Sequence, residues 1–282
     1  MRLASYNLRG RPSFGAVVGD GIVDLRGRLS RFATLLEVFR AQALDEAKAL
    51  VDGVRPDVPL TAVELLPPLT APEKILCIGI NYANRMQDYD FTDRPKYPSM
   101  FYRAPNSLVG HGQALIRPKI SPELDYEGEI AMIIGEECKH VAREDALGVV
   151  AGLTLCNEGT IRDWIRHGKF NVTQGKNFDA TGSIGPWIAT AIDLTKPLHL
   201  VVRKNGEITQ DDTTESMIFS FADLIVYITT FMTLKPGDII STGTPVKKGP
   251  KTEPPVWLKP GDVVEFECPE IGVLRNPVAD EA

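Results

Sequence analysis

The chain has 282 residues, 43% apolar and 24% charged, with 31 basic against 37 acidic side chains and a net charge of −6. Such a length and balance fit an ordinary globular protein that buries a full core, as one large domain or a large one with a small companion. Mild acidity without a basic run speaks against nucleic acid or an anionic membrane as partner, and no stretch approaches the roughly 20 apolar residues of a membrane span.

The opening residues, Met1-Arg2-Leu3-Ala4-Ser5-Tyr6, lack the apolar core of a signal peptide, so a cytoplasmic location is expected. Residues 1–66 read as a small N-terminal α/β domain and 67–282 as the main domain. In the first, Phe14-Gly15-Ala16-Val17-Val18 and Gly21-Ile22-Val23-Asp24-Leu25 predict a hairpin around Gly19-Asp20-Gly21. A helix is then expected from an N-cap at Ser30, its apolar stripe running from Phe32 to Val51 and Gly53 stopping it. Pro67, Pro68 and Pro72 mark a linker, after which Lys74 to Ile80 reads as a buried strand. Asn205-Gly206 between two strand-like runs signals a type I′ hairpin. Ser220-Phe221-Ala222-Asp223 starts a helix through Phe231 in the manner of a capping box. Leu234-Lys235-Pro236-Gly237-Asp238 and Leu258-Lys259-Pro260-Gly261-Asp262 are twin turns feeding strands, and 246–255 reads as a mobile surface loop. Strands predominate, which gives a sheet-rich α+β class. Cys77, Cys138, Cys156 and Cys268 stand far apart in apolar sequence and are expected as buried free thiols in a reducing compartment.

The residues that carry chemistry begin with Glu127 and Glu129, which open the apolar strand Ile130-Ala131-Met132-Ile133-Ile134. Strand side chains alternate faces, so the two glutamates point the same way, with Ala131 and Ile133. Two carboxylates on one apolar face repel each other unless a cation lies between them, and hard oxygen ligands suit magnesium, manganese or calcium. The alternative is a solvated strand end. Glu158 is a third acid, at the end of the apolar run Val149 to Leu155. Lys176 follows a glycine in Gly175-Lys176-Asn177-Phe178-Asp179, and Ser241-Thr242-Gly243-Thr244-Pro245 is a tight hydroxyl-rich loop. Three acids, one lysine and a threonine–glycine loop suit a metal with an anionic, oxygen-rich small molecule.

Across nearly its whole length the chain resembles the fumarylacetoacetate hydrolase family. The resemblance is carried by Gly79-Ile80-Asn81-Tyr82, Phe101-Tyr102-Arg103-Ala104-Pro105-Asn106-Ser107, Asp125-Tyr126-Glu127-Gly128-Glu129 and Gly175 to Asp179. Met217-Ile218-Phe219-Ser220, Phe231 to Leu234, Pro236-Gly237-Asp238 and Thr242-Gly243-Thr244-Pro245 follow in the right order. The resemblance implies a mixed β-sandwich roll of the fumarylacetoacetase C-terminal type, a homodimer, and Mg2+ or Mn2+ held by Glu127, Glu129 and Glu158. It implies that Lys176 stabilises an enolate and that Tyr82, Arg103 and Thr244 bind substrate. Salt-bridging of Lys176 to Asp179, an interface ion pair for Arg103 and a plain turn role for Thr244 are the alternatives. The activity implied first is hydrolysis of a C–C bond in a 2-oxo acid or 1,3-diketone, such as an acylpyruvate, in aromatic-compound catabolism. The alternative is decarboxylation or keto–enol tautomerisation of an oxo-dicarboxylate, of the 2-hydroxyhepta-2,4-diene-1,7-dioate or oxaloacetate kind. A binding protein without turnover, or a purely structural metal, would also keep the fold.

Departures from the family pattern alter the apparatus that activates water, which decarboxylation or tautomerisation needs less, while hydrolysis stays the first reading. After Asn81-Tyr82 the hydrolytic members usually carry a histidine and, three residues on, a glutamate, the dyad that activates water on a mobile lid. Here Arg85 and Asp88 stand there, and arginine is no base near neutral pH. Asp88 oriented by Arg85, or His167, would have to serve instead. Glu158 stands where aspartate is usual, and Ile165 where glutamine is common.

Overall fold

Two sheets packed face to face organise the protein. The computed structural model describes residues 1–89, 93–169, 171–249 and 255–282, with the side chains of 87–89 left out. The larger sheet runs, in order, Val58–Pro59, Gly21–Asp24, Arg11–Val18, Arg2–Leu8, Gly182–Ala189, Val150–Asn157, Gly128–Ile134, Ile239–Ser241, Ile75–Gly79 and Ser99–Tyr102. The smaller runs Glu207–Thr213, His199–Lys204, Val263–Cys268, Gly272–Asp280 and Leu115–Arg117. With one 11-residue helix, Phe221–Phe231, and several short helical turns, the fold is α+β and sheet-rich, as expected. No helix among the described residues is long and apolar enough to cross a membrane.

The strand Gly128–Ile134 lies at the centre and is buried throughout. Ile130, Met132 and Ile134 join a core with Leu200, Val202, Val264 and Phe266 of the smaller sheet and Leu224, Ile225 and Ile228 of the helix. Ala131 and Ile133 join a second core with Leu3, Phe14, Leu35, Leu36 and Phe39 from the N-terminal region. One strand therefore anchors two cores, one on each face. Burying a Leu, Ile or Phe contributes about 1.5–3 kcal/mol, so both faces matter to stability.

Local signals in the sequence set several elements. Asn205 and Gly206 both have positive φ (53° and 85°), as a type I′ hairpin requires. Ser220 and Asp223 exchange side-chain-to-backbone bonds as a capping box. The twin turns are true equivalents. Gly237 and Gly261 sit at φ 89° and 87°, and Asp238 and Asp262 each accept from the lysine amide three residues back.

Elsewhere the structure differs from the sequence expectation. Leu25–Arg28 is a short helix ahead of Ser30, and the single helix expected from Ser30 is instead two more, Leu35–Arg40 and Leu44–Ala49. Thr34, rather than Ser30, caps the second, its hydroxyl accepting from the Glu37 amide at 3.3 Å. The break comes at Gln42, held at φ 54° while its amide nitrogen donates to the carbonyls of Gly135 (2.5 Å) and Phe39 (3.3 Å). The larger sheet joins residues from both sides of the expected 66/67 boundary, Arg2 and Leu3 pairing with Ala189 and Ile188. Of the segment expected as a mobile loop, Lys247 is anchored, ion-paired to Asp125 with its ammonium 4.0 Å from the Tyr126 ring centroid.

Candidate active site

Antiparallel pairing of Gly128–Ile134 with Val150–Asn157 puts Gly128 opposite Asn157 and so brings the three acids together. The Glu158 amide donates to the Glu127 carbonyl at 2.8 Å, and the Glu127 amide to Asn157 Oδ1 at 3.0 Å. Glu127, Glu129 and Glu158 are all buried, and each offers a carboxylate oxygen within 4.8 Å of the others. Two glycines permit this. A Cβ on Gly128 would lie 2.3 Å from Val202 Cγ2 and 2.9 Å from Phe266 Cδ1, and one on Gly159 would lie 1.9 Å from the Thr181 carbonyl. Gly128→Ala is therefore expected to cost about 1–3 kcal/mol by overpacking and, by moving both flanking glutamates, to weaken Mg2+ binding. Thermal melting and calorimetric titration of the variant check both effects.

Four cations surround the acids. Lys176, which ends the short helix Thr173–Lys176, donates to Glu158 Oε2 at 3.1 Å and to Glu127 Oε2. Arg85 and Arg162 converge on Glu127 Oε1, at 2.9 Å and 2.7 Å, while Thr160 donates to Oε2 at 3.0 Å. Arg103 donates to Glu158 Oε1 at 3.3 Å and to the Gly159 carbonyl at 2.8 Å. Burial would raise the Glu127 carboxyl, but Arg162, Lys176 and Arg85 outweigh it and hold the group well below the usual carboxylate range. Glu129 is held instead by neutral donors. Its Oε2 accepts from Ser241 Oγ (2.6 Å) and the Gly243 amide (2.9 Å). Burial and the Glu158 charge nevertheless push it up to about 8. Burial also raises Glu158, with Lys176 opposing. Burial favours a neutral Lys176, but Glu127 and Glu158 raise it, so it stays an ammonium.

The acids open into a cavity of about 140 Å³ whose wall includes Ile78, Ile80, Phe101, Ile165 and Val172 as well as Arg85, Arg162, Lys176 and Thr244. That volume lies below the roughly 300–1,000 Å³ of drug-sized pockets, so the ligand is small. Of the residues expected from the sequence, Glu127, Glu129, Glu158, Lys176, Arg85 and Thr244 come together here. Lys176 pairs with the glutamates rather than with Asp179, whose carboxylate takes the Asn106 amide. Thr244 Oγ1 accepts from Gln210 Nε2 at 2.9 Å.

Two residues expected to bind substrate are not among the residues that line the cavity. Arg103 is enclosed, its guanidinium spent on Ser107, Thr181, Gly159 and Glu158, so it positions Glu158 and does not reach the cavity. Tyr82 is fully buried and absent from the cavity wall, because its backbone bridges to Met217 and turns the ring into the interior. His167 is exposed, 4.4 Å from Trp164 ring to ring, and is not among the residues that line the cavity. The Asp88 side chain lies outside the described residues. Arg162 was missed, although it stands four residues after Glu158 in a block already singled out; its Nε also donates to Asp125 Oδ2 at 2.9 Å.

The triad fits a hard divalent ion. Its donors are all carboxylate oxygens, and Glu129, raised by its acidic neighbour, is relieved by a cation. Because the Glu129 proton must leave, apparent Mg2+ affinity is expected to rise with pH, by up to about tenfold per unit, until the pH passes about 8. Calorimetry in buffers of different ionisation enthalpy measures that proton directly.

A two-sheet roll with a buried carboxylate triad at its central strand end defines an enzyme class, and comparison with known proteins specifies it. The chain belongs to the fumarylacetoacetate hydrolase family, whose model for the fumarylacetoacetate (FAA) hydrolase C-terminal region matches residues 74–279. It is 37% identical over 271 residues to "oxaloacetate tautomerase Fahd2a, mitochondrial" of Rattus norvegicus, covering 93% of this chain and 85% of the relative. Among solved structures, fumarylacetoacetate hydrolase from psychrophilic Exiguobacterium antarcticum aligns over the whole of both chains with TM-score 0.83 and 31% identity. Maleylpyruvate hydrolase from Sphingobium sp. SYK-6, in complex with manganese(II) ion and pyruvate, aligns over the whole of both chains with TM-score 0.81 and 27% identity.

Proposed function

We propose that the protein is a divalent-metal-dependent keto–enol tautomerase of a 2-oxo dicarboxylate of the oxaloacetate kind. The observation that carries this reading is Arg85 on the cavity wall, bonded to Glu127, where hydrolysis needs a base to activate water. No histidine lines the cavity among the described residues. Similarity to a relative named as an oxaloacetate tautomerase adds support. Hydrolysis of a C–C bond, the first expectation from the sequence, takes second place and is favoured by the likeness to two hydrolase structures.

When held by Glu127, Glu129 and Glu158, Mg2+ or Mn2+ supplies Lewis-acid polarisation of a chelated 2-oxo acid. Lys176, fixed between Glu127 and Glu158, places a permanent positive charge at the cavity floor, where enolate character develops. Ile78, Phe101, Ile165 and Val172 keep water from the enolate. Thr244 offers a hydroxyl to a substrate oxygen. We further propose a homodimer, supported by the exposed Tyr97 and Phe231, which pack on either side of Tyr227, and sedimentation measures it. The four unpaired cysteines suit a reducing compartment such as the cytoplasm.

Product analysis tests the reaction. With Mg2+ and an acylpyruvate, release of a free carboxylic acid at enzymatic rates would establish the hydrolase and refute the tautomerase. Faster enol-to-keto conversion of oxaloacetate, with the carbon skeleton intact, is the expected result.

A further inference from the structure

The strand Glu207–Thr213 inverts the usual pattern, with Ile208 47% exposed and Gln210 only 1% exposed. A bulge causes the inversion. Gln210 pairs with Val202 and Ile208 with Arg203, so Thr209 is the extra residue and Gln210 follows the buried Val202 onto the inner face. A buried amide is costly unless its donors and acceptor are used. Gln210 Oε1 accepts from the Gly128 amide at 3.1 Å, between Glu127 and Glu129. An amide N–H can only donate, so the nitrogen end of Gln210 faces Thr244 and Pro245. There Nε2 donates to Thr244 Oγ1 at 2.9 Å and to the Pro245 carbonyl. Both Nε2 hydrogens are thereby used, and Thr244 Oγ1 serves as an acceptor that keeps its own proton to donate. Among the described residues, the protein acceptor for that proton is the Pro245 carbonyl, 3.5 Å away and already bonded to Gln210. Thr244 also lines the cavity of the three glutamates.

We propose that Gln210 is a positioning residue: by accepting from Gly128 and donating to Thr244 Oγ1, it makes the Thr244 hydroxyl a hydrogen-bond donor to an anionic oxygen of the ligand. The smaller sheet thus sets the polarity of a hydroxyl carried by the larger one. This rests on the proposed function, in which Thr244 meets a substrate oxygen, but its test does not depend on turnover. Oxalate is a planar dianion that resembles a chelated enolate and cannot tautomerise. In calorimetric titration of the Mg2+-saturated protein, Thr244→Val should bind oxalate about 10- to 100-fold more weakly than wild type, the worth of a hydrogen bond to a charged group. Gln210→Met, similar in size but without the amide, should weaken oxalate about 5- to 10-fold. The double variant should match Thr244→Val alone within about twofold, because Gln210 acts through a hydroxyl that is no longer there.

An equal penalty for Gln210→Met with and without the Thr244 hydroxyl would reduce Gln210 to a structural residue and overturn the proposal. Unchanged oxalate affinity in either single variant would overturn it too. Should Gln210→Met not fold, Gln210→Glu gives the same cycle, since an ionised carboxylate still accepts from Gly128 but offers Thr244 no donor. A penalty that shrinks in the Thr244→Val background then supports the proposal, and one that does not shrink refutes it. If the coupling is found but wild type leaves enol-oxaloacetate at its buffer rate, the positioning role stands and only the tautomerase reading fails.

Discussion

Replacing Glu129 by glutamine is expected to abolish divalent-ion binding and activity, yet to leave the metal-free protein more stable than wild type at neutral and alkaline pH. Glu129 is 1% exposed, and burial together with Glu158 pushes its carboxyl up to about 8. An unfolded glutamate titrates near 4.3. Between those values the folded chain holds a proton that the unfolded chain has released, so the stability this group contributes falls as pH rises through that window. Above about 8 the penalty is complete. Glutamine mimics the protonated form and can still accept from Ser241 and Gly243. Its advantage should be absent near pH 4, grow to about pH 8 and then level off, on the order of a few kcal/mol. That corresponds to several degrees in Tm for a chain of this size. Metal affinity should fall at least about 100-fold, since loss even of a group that merely orients a ligand costs 10- to 100-fold. Melting curves with and without Mg2+ from pH 4 to 9 read both effects. A variant less stable than wild type at pH 8 without metal would contradict this electrostatic picture.

Lys176→Met is expected to have the second largest effect. The ammonium is buried and bonded to both Glu127 and Glu158. Removing one partner of a buried ion pair costs about 3–5 kcal/mol. Here Arg85 and Arg162 still face Glu127, so the loss should fall near the lower end of that range. Saturating Mg2+ should recover much of the stability, because the ion neutralises the same carboxylates. Activity should not recover: loss of a fixed positive charge beside a developing enolate is expected to lower kcat by about 10²–10³. Steady-state kinetics at saturating Mg2+, beside thermal melts, separate the two roles. Activity within tenfold of wild type would remove Lys176 from the chemistry.

The legible parts of the fold were those set by a few adjacent residues. Asn205-Gly206, the Ser220–Asp223 cap and the two Pro-Gly-Asp turns each carry their geometry within five residues. Glu127 and Glu129 were legible because strand alternation is local, and Glu158 because it ends a strand. The helix break at Gln42 was not, since it depends on a bond to Gly135, 93 residues away. Thr34 was overlooked as a cap because Ser30 begins the apolar stripe equally well. The pairing of Arg2 with Ala189, which carries the larger sheet across residue 66, leaves no trace in either segment. Site ionic partners were obscure for the same reason. Lys176 has Asp179 close in sequence, yet strand register delivers Glu127 and Glu158 instead. Arg103 has the chemistry of a substrate clamp, and only its enclosure by Ser107, Thr181 and Glu158 shows that it braces Glu158.

The most direct test of the central claim is the ketonisation rate of enol-oxaloacetate, followed by loss of enol absorbance in stopped flow with Mg2+, for wild type and Glu129→Gln. The expected result is a wild-type rate far above buffer, dependent on the metal and reduced to the Mg2+ background in the variant, with no pyruvate formed. A wild-type rate equal to that background, or an undiminished rate in Glu129→Gln, would contradict a tautomerase built on this carboxylate triad.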